Sequence, residues 1–511
     1  MKIALSQINT KIADFKNNFD VLKKELNENK NEILTIFPEL SLSGSPLEDL
    51  TLYEDVFSQS MKYAEELSAE KKDFIFGFPI KENGKAYNAL AFVKNGELQA
   101  ISTKKNLGRF DKGFSSGNGF ERIEYSQTSI AFGFLEDLED YVKHSDKADL
   151  VICSANIVFE VNKQQEVITK LQPLVRRLAC PLVVVNRCGA EGRFVFNGGS
   201  FVLQSNGNMA EELPLFEPQT KVLETQKLKN LQKNPMSKPE KLYHASVLGI
   251  RDYYHKNNIK KTVIGLSGGI DSALVVVLAV EALGKENVVG VLLPSEYSTS
   301  HSVSDAKASA ENLQIEYYTI PIKESFTSIL SALQPVFKNL PFGLAEENLQ
   351  SRIRLSIIMG IANKLGAAML NTTNKSETAV GYGTLYGDTS GGIAAIGDMY
   401  KTEVWELSRW INREKEIIPE NSIIKAPSAE LRPDQKDSDS LPDYDVLDRV
   451  LYLHIEQGKC KSEIISEGFD EQTVEKILRL VKINEWKRHQ VAPSLKVSSK
   501  TFGIDRIMPI S

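Results

Sequence analysis

The chain has 511 residues, of which 42% are hydrophobic and 25% are charged, and its net charge is −6. This composition is typical of globular proteins, and the length predicts roughly two to three domains. The negative charge argues against a nucleic-acid partner and against an anionic membrane surface. The first residues lack a signal-peptide pattern and no apolar run is long enough to span a membrane, so we expect a cytoplasmic protein.

The amino-terminal half alternates short apolar runs with amphipathic stretches, which predicts the strands and helices of a layered α/β domain. Asn95-Gly96 and Asn206-Gly207 each follow an apolar run, and this dipeptide favours a two-residue hairpin turn. We therefore expect antiparallel strand pairs alongside any parallel ones.

The apolar period fades between residues 206 and 241, where the sequence is polar and contains several prolines. We place a domain boundary in this stretch, near Pro235. The predicted domains are residues 1–235 and residues 236–511.

The second domain begins with a βαβ pattern. An amphipathic helix over residues 242–255 precedes an apolar strand at 262–266, a glycine-rich loop, a helix over 272–284 and a second strand at 288–294. Strands joined by a helix lie parallel in one sheet, so the pattern predicts a doubly wound parallel sheet.

The glycine-rich loop reads Ser267-Gly268-Gly269-Ile270-Asp271-Ser272. It lies between a strand and a helix, where backbone amides at the helix N-terminus bind anions such as phosphate. The serine hydroxyls can donate to phosphate oxygens, whereas the aspartate would repel phosphate unless a cation such as Mg²⁺ lay between them. The lysine of a GxxxxGK[ST] motif is absent, which excludes a kinase-type or GTPase-type loop. A strand-to-helix turn without a ligand is the alternative interpretation.

The loop resembles the SGGxDS signature of ATP pyrophosphatases, which cleave ATP between the α and β phosphates. Residues 252–510 as a whole resemble the synthetase domain of NAD synthetases. The matching stretches are PSEYSTSHSVSDA from Pro294, EENLQSRIR from Glu346, NKSETAVGYGTLYGD from Asn374, PSAELRPDQKDSDSLP from Pro427 and KRHQVAPSLK from Lys487. This resemblance implies an adenine nucleotide alpha hydrolase-like fold that takes ATP and Mg²⁺.

The resemblance also assigns roles to single residues. The ATP-binding residues that it implies are Gly265, Leu266, Ser267, Gly268, Gly269, Ile270, Asp271, Ser272, Thr372 and Lys401. Asn348, Glu377 and Lys487 are implied to bind deamido-NAD, and Asp271 and Glu377 to hold Mg²⁺. Without the resemblance, Glu377 could be a helix-dipole partner and both lysines could be solvated.

Two further segments bear on the ATP site. Gly397 occupies a position where many relatives carry lysine. Residues 432–437 are too polar for a core and resemble a mobile loop that closes over ATP, which would exclude water from a reactive intermediate.

The implied reaction has two steps. The nicotinate carboxylate of deamido-NAD attacks the α-phosphate of ATP, which gives an acyl-adenylate and pyrophosphate. Ammonia then displaces AMP to give the amide of NAD. Loop amides and Mg²⁺ would stabilise the charge of the leaving group.

Residues 1–235 resemble the nitrilase-like glutaminase domain of two-domain, glutamine-dependent NAD synthetases. The resemblance implies an αββα sandwich with a Glu, Lys and Cys triad. Glu39 matches the glutamate, and Lys104 best matches the lysine, although Lys105 competes for this position. At the nucleophile position the chain has Leu135, whose side chain has no lone pair with which to attack a carboxamide.

Other residues give little sign of a rescued nucleophile. Cys153 and Cys188 end different apolar strands, as small buried hydrophobic residues commonly do. Ser45 replaces a tyrosine that is usual in the family. The four cysteines contain no CxxC pair, so neither a zinc site nor a disulfide framework is indicated.

We therefore predict a carbon–nitrogen ligase: an NAD synthetase with an inactive glutaminase domain, which takes free ammonia or ammonia from a separate partner. The first alternative is an active glutamine-dependent enzyme with an unrecognised nucleophile. The second is an inactive nucleotide-binding scaffold. The resemblance also implies at least a homodimer, formed through the synthetase domain.

Overall fold

The computed structural model describes residues 1–29, 32–144, 147–231, 234–338 and 340–510. The chain divides into two compact units, Met1–Pro235 and Met236–Ser511, each of which is described by itself. Within the described residues, no helix is both long and apolar enough to cross a membrane.

The first unit contains two six-stranded sheets. Its strands are β1 (Lys2–Gln7), β2 (Leu34–Ile36), β3 (Asp73–Glu82), β4 (Lys85–Lys94), β5 (Glu97–Thr103), β6 (Glu121–Tyr125), β7 (Thr128–Phe134), β8 (Leu150–Ala155), β9 (Leu182–Asn186), β10 (Cys188–Glu191), β11 (Phe194–Asn197), β12 (Phe201–Leu203), β13 (Met209–Glu212) and β14 (Gln219–Glu224). Its helices are α1 (Phe15–Glu28), α2 (Glu54–Ser68), α3 (Leu138–His144) and α4 (Lys163–Leu178). One sheet has the order β14-β1-β2-β3-β4-β5 and the other the order β13-β12-β9-β8-β7-β6.

Three apolar layers show how these elements stack. Side chains from β1–β4 meet side chains from β6–β9 in a core between the two sheets. A second core lies between α1, α2 and the first sheet, and a third lies between α3, α4 and the second sheet. The order helix, sheet, sheet, helix is the predicted αββα sandwich, and this prediction is confirmed.

The hairpins form where the Asn-Gly pairs occur. β4 and β5 pair antiparallel around Asn95-Gly96, both with positive φ, and β12 and β13 pair antiparallel around the turn that contains Gly207. No sequence pattern indicates β14, which pairs antiparallel with β1 at the sheet edge. Most of the side chains of β14 are at least partly exposed, so this strand has no apolar alternation.

The second unit contains a five-stranded sheet with helices. Its strands are β15 (Thr262–Gly265), β16 (Val288–Leu292), β17 (Glu316–Thr319), β18 (Ala368–Asn371) and β19 (Ile393–Ala394). The helices are α5 (Lys238–Lys256), α6 (Ile270–Leu283), α7 (Ser300–Asn312), α8 (Lys323–Phe337), α9 (Leu344–Leu365), α10 (Lys375–Val380), α11 (Lys401–Ile411), α12 (Glu420–Ile424), α13 (Tyr444–Ile455), α14 (Lys461–Ser466), α15 (Glu471–Ile483) and α16 (Glu485–Arg488).

All strand pairs of this sheet are parallel, as predicted. The order is β17-β16-β15-β18-β19, so the chain runs outward from β15 to β17 and then returns to β18 on the other side of β15. The switch point therefore lies between the carboxyl ends of β15 and β18. Sheets of this class bind ligands in the crevice at that point.

Candidate functional site

The glycine-rich loop follows β15 and leads into the N-terminus of α6. Gly268 has a φ of +79°, and a Cβ there would lie 2.1 Å from the carbonyl oxygen of Ser302, so this position requires glycine. The Ser272 hydroxyl accepts from the Ser267 amide at 3.2 Å and donates to the Gly269 carbonyl at 3.0 Å. These bonds hold the loop with its backbone close to the ligand crevice.

A cavity of about 470 Å³ opens at the switch point between β15 and β18. Its walls come from the loop, from the ends of β16 and β18, from α9 and α10, and from residues 425–431. The lining includes these residues of the predicted nucleotide sites: Gly265, Leu266, Ser267, Gly269, Ile270, Asp271, Ser272, Asn348, Thr372, Glu377, Lys401 and Lys487. Gly268 is outside this lining and supports the loop from behind.

Two acidic side chains and one lysine form the charged centre of the cavity. Lys401 is the first residue of α11, its side chain is 3% exposed, and its ammonium contacts the carboxylate of Asp271. The same ammonium lies 3.6 Å from Glu377 Oε1. Burial, together with the neighbouring charge of Asp271, raises the pKa of Glu377 to about 8 against the opposing charge of Lys401. The site thus carries more acidic than basic groups and can accept a cation.

Asn374 connects the two acidic groups. Its side-chain oxygen caps α10 by accepting from the backbone amide of Glu377 at 3.0 Å, while Glu377 Oε2 accepts from the backbone amide of Asn374 at 3.3 Å. The side-chain nitrogen of Asn374 also donates to Asp271 Oδ1 at 3.0 Å. One asparagine therefore fixes the direction of both carboxylates.

Asp437 is a third carboxylate at the cavity wall. It accepts from the hydroxyls of Tyr382, at 3.0 Å, and Tyr444, at 2.9 Å. Burial raises its pKa. This residue belongs to the 432–437 segment, which together with the preceding residues lines one side of the cavity.

Residues 425–431 are held against α7 by one acidic side chain. Glu430 accepts from the Ser302 hydroxyl at 2.6 Å, from the Thr299 hydroxyl at 3.1 Å and from the Lys425 ammonium at 2.9 Å. The neighbouring Leu431 carbonyl accepts from Gln350 of α9 at 2.9 Å. The segment thus bridges two helices at the mouth of the site.

Asn348 and Lys487 line the same cavity as the loop residues. The Lys487 ammonium donates to the carbonyls of Gly381 and Gly383, at 3.0 and 3.2 Å, and partial burial lowers its pKa. Asn348 accepts from the Thr384 hydroxyl at 2.9 Å. Each side chain is held by the loop that follows α10, rather than being free in solvent.

Gly397 packs against the chain near Ser494. A Cβ at this position would lie 2.4 Å from the Ser494 hydroxyl, so this backbone does not accommodate a lysine there. Gly397 is outside the cavity lining.

The first unit buries a separate charged cluster. Lys104 lies 2.9 Å from Glu39, 3.1 Å from Asp111 and 3.3 Å from Glu136, and its side chain is 3% exposed. Asn88 donates to Glu39 at 2.6 Å and to Asp111 at 3.0 Å. Burial raises the pKa of Glu39 to about 8; the Lys104 charge opposes this shift, and the charges of Glu136 and Asp111 add to it.

Lys104, rather than Lys105, therefore faces Glu39. The Lys105 ammonium is half-exposed and lies 3.1 Å from Asp140. Three carboxylates surround the single Lys104 ammonium, which raises the lysine pKa and keeps this residue charged.

Leu135 follows β7 directly and begins a short 3₁₀ turn, Leu135–Asp137. Its side chain is partly buried and packs on the core between the second sheet and α3 and α4. Cys153 of β8 lies within the same core, and burial raises its thiol pKa well above the ordinary value. A buried thiol with a raised pKa is a poor nucleophile.

Comparisons with known proteins follow the same division of the chain. The family model for NAD synthase matches residues 242–491, and the model for carbon-nitrogen hydrolase matches residues 2–227. The glutamine-dependent NAD(+) synthetase of Synechocystis sp. is 39% identical over 550 residues, which cover 100% of this chain and 98% of that protein. The chain belongs to the glutamine-dependent NAD synthetase family. The enzyme of the same name from Thermotoga maritima is 38% identical over 570 residues, with 100% and 98% covered.

A solved structure of this family has the same architecture. The glutamine-dependent NAD+ synthetase from Acinetobacter baumannii, in complex with adenosine diphosphate, has a TM-score of 0.79 at 34% identity and covers 100% of this chain and 98% of its own. The predicted family, both fold classes and the assignment to the carbon–nitrogen ligases are thereby confirmed.

Sequence reasoning did not single out Asn374 and Tyr444 at the candidate site. Asn374 stands inside the quoted NKSE stretch, but its bond to Asp271 joins residues 103 apart in the chain. Lys401 was predicted as an ATP-binding residue, and the structure buries it at the start of α11. Tyr444 had no sequence signal, because its contact with Asp437 depends on the packing of α13.

Proposed function

We propose that the second unit converts deamido-NAD to NAD with ATP and Mg²⁺, through an acyl-adenylate, and releases AMP and pyrophosphate. Family membership supports the overall activity, and the charged centre at Asp271, Glu377 and Lys401 supports the chemistry. The loop amides and serines would hold the phosphates of ATP, with Thr372 and Lys401 beside them. Asn348, Glu377 and Lys487 would contact deamido-NAD.

The residues present fit a magnesium ion that is completed by substrate. The described residues contain no ready-made group of three or more acidic, histidine or cysteine ligands. Mg²⁺ is commonly held by one or two carboxylates with phosphate oxygens and water as the other ligands. Asp271 and Glu377 can supply this pair, and a bound ion would offset the repulsion between them and draw the proton from Glu377. The ion would supply charge neutralisation at the phosphates.

We further propose that the nitrogen comes from ammonia and not from glutamine. Leu135 carries this proposal, because a leucine stands where the triad requires a nucleophile. Ammonia would be free in solution or supplied by a separate protein.

The competing function is a working glutaminase with another nucleophile. The names of the relatives favour it, since they are glutamine-dependent enzymes. Cys153 lies on β8 opposite Gly133 of β7, but it is fully buried within an apolar core. A scaffold without activity is disfavoured by the ordered contacts among Asp271, Asn374 and Lys401.

One assay separates these functions. The full-length protein is incubated with deamido-NAD, ATP and Mg²⁺, with either glutamine or an ammonium salt, and NAD and AMP are measured. We expect equal amounts of NAD and AMP with ammonium and none above background with glutamine. Equal rates with both nitrogen sources would refute the ammonia proposal, and no product with either would refute the synthetase proposal. Asp271→Asn is the control that should remove the ammonium-dependent rate.

We also propose a homodimer formed through α8. This helix is amphipathic, yet Phe326 is its one buried residue within the described chain. Val336 of α8 is 71% exposed. Leu340, beyond the end of α8, and Leu344, the first residue of α9, are 73% and 70% exposed. An apolar surface of this kind marks a protein interface, and the resemblance to paired synthetase domains indicates a second copy as the partner.

The cytoplasmic location stays a prediction.

A further inference from the structure

Directly behind the charged centre lies a lysine that the proposed chemistry does not use. Lys375 is the first residue of α10 and its side chain is 0% exposed. Its ammonium donates to Glu456 Oε1 at 2.5 Å, to the Ser498 hydroxyl at 2.6 Å and to the Lys500 carbonyl at 3.0 Å. It also lies 3.0 Å from Asp398 Oδ1. Lysine is almost never fully buried unless its charge is paired, so this pairing calls for a reason.

The partner carboxylate binds a distant segment of the chain. Asp398 is also 0% exposed, and its Oδ2 accepts from the amides of Val497 and Ser498 at 2.9 and 2.8 Å. The same oxygen accepts from the Thr501 hydroxyl at 2.7 Å. We call residues 497–501 the anchor segment, because it fixes Asp398 and, through it, Lys375.

Backbone bonds extend this arrangement to the charged centre. The Lys375 amide donates to the Met399 carbonyl at 2.8 Å, and the Lys401 amide donates to the Ser376 hydroxyl at 2.9 Å. The first turn of α10 and the start of α11 are therefore joined directly behind the site. Asn374 and Glu377 extend from one side of this joint, and Lys401 extends from the other.

We propose that Lys375 and Asp398 are positioning residues for the amidation site. Their buried ion pair, fixed by the anchor segment, sets the directions of Asn374 and Lys401, which both contact Asp271. This inference rests on the proposed function. A buried ion pair is a poor means of gaining stability, because well-packed apolar side chains often serve as well. Its directional bonds do fix orientation, and orientation is what two carboxylates that share one cation require.

Asp398→Asn tests this role with little change of shape. An asparagine oxygen in place of Oδ2 keeps the bonds from the Val497 and Ser498 amides and the Thr501 hydroxyl. Its amide group replaces the oxygen that faces Lys375 and that accepts from the Ser498 hydroxyl. We expect kcat with ammonium to fall by about 10- to 100-fold, as for other groups that orient metal ligands, with little change in the KM for deamido-NAD. We expect the Mg²⁺ concentration for half-maximal thermal stabilisation in the presence of ATP to rise by about tenfold.

Asp305→Asn is the matched control. Asp305 is a buried aspartate of the same unit and accepts from Asn421 at 2.5 Å. The chemical change is identical, so this variant should lose stability while it keeps its kcat and its Mg²⁺ response. If Asp398→Asn does not fold, Glu456→Gln is the replacement test variant, because it removes the other charge partner of Lys375.

The outcomes separate the two proposals. A normal kcat and a normal Mg²⁺ response in Asp398→Asn would overturn the positioning role, and so would equal losses in the control. If the wild-type protein makes no NAD from ammonium, the proposed function fails. The thermal Mg²⁺ titration does not depend on turnover and would still decide whether Lys375 and Asp398 orient the site.

Discussion

Replacing Glu39 by glutamine should make the stability of the first unit less sensitive to pH. In the folded chain, burial raises the pKa of this carboxyl from 4.5 to about 8. Below pH 4.5 the carboxyl is protonated in both the folded and the unfolded states, so it does not change the free energy of unfolding. Between pH 4.5 and 8 the unfolded chain releases this proton while the folded chain keeps it, so stability is lost as the pH rises.

The size of this loss follows from the shift. Each pKa unit corresponds to about 1.36 kcal/mol, so the loss reaches at most roughly 5 kcal/mol above pH 8. A glutamine at position 39 does not titrate. Its carbonyl can keep the bonds from Lys104 and Asn88, while Glu39 Oε2 has no hydrogen-bond partner among the described residues. The advantage of the variant over the wild type should therefore grow by a few kcal/mol from pH 5 to pH 9.

Calorimetric unfolding of the variant and the wild type at several pH values measures this difference in stability. Altered packing in the variant would shift its stability equally at every pH, so it does not affect the change between pH 5 and pH 9. Glu54→Gln, which breaks an exposed ion pair with Lys81, is the control and should give a curve parallel to the wild type. Parallel curves for Glu39→Gln and the wild type would refute the reasoning, because they would mean that Lys104 keeps Glu39 ionised. Ammonium-dependent NAD formation should be unchanged in this variant.

Three further predictions concern single positions. Leu135→Cys should release little glutamate from glutamine, because Ser45 still stands where the family usually has a tyrosine; glutamate release at the rate of a working glutaminase would contradict the proposed inactivity. Gly268→Ala should abolish ATP-induced thermal stabilisation, because its Cβ would meet the Ser302 carbonyl at 2.1 Å. Gly360→Ala, which has open space around its Cβ, is the control and should gain up to about 1 kcal/mol in free energy of unfolding. Val336→Asp should convert a dimer into a folded monomer in light scattering, and an unchanged mass would place the interface elsewhere.

Much of the fold was predictable because its periodicities are local. The strand–loop–helix unit around residues 262–284 carries its apolar pattern and its glycines within one short stretch. β14 was not predictable, because an edge strand with mostly exposed side chains has no buried face to impose alternation.

The site divides in the same way. Asp271 and Glu377 stand in stretches that resemble NAD synthetases, and this resemblance singled them out. Their link through Asn374, and the burial of Lys401 between them, depend on how α10 and α11 pack, which no short stretch encodes. Likewise, the choice between Lys104 and Lys105 required the position of Glu39, 65 residues earlier in the chain.

The pairing of β1 with β14 has a consequence for the order in which the first unit can form. Lys2 lies opposite Glu224, so the edge of the first sheet cannot close until more than two hundred residues have been synthesised. At ribosomal speeds of about 5–20 residues per second, β1 waits roughly ten seconds or longer for this partner. During that time β1 presents an unpaired strand edge, the kind of surface that other chains can join. We expect the nascent unit to be most prone to aggregation in this interval, and a chaperone that covers β1 would reduce this risk.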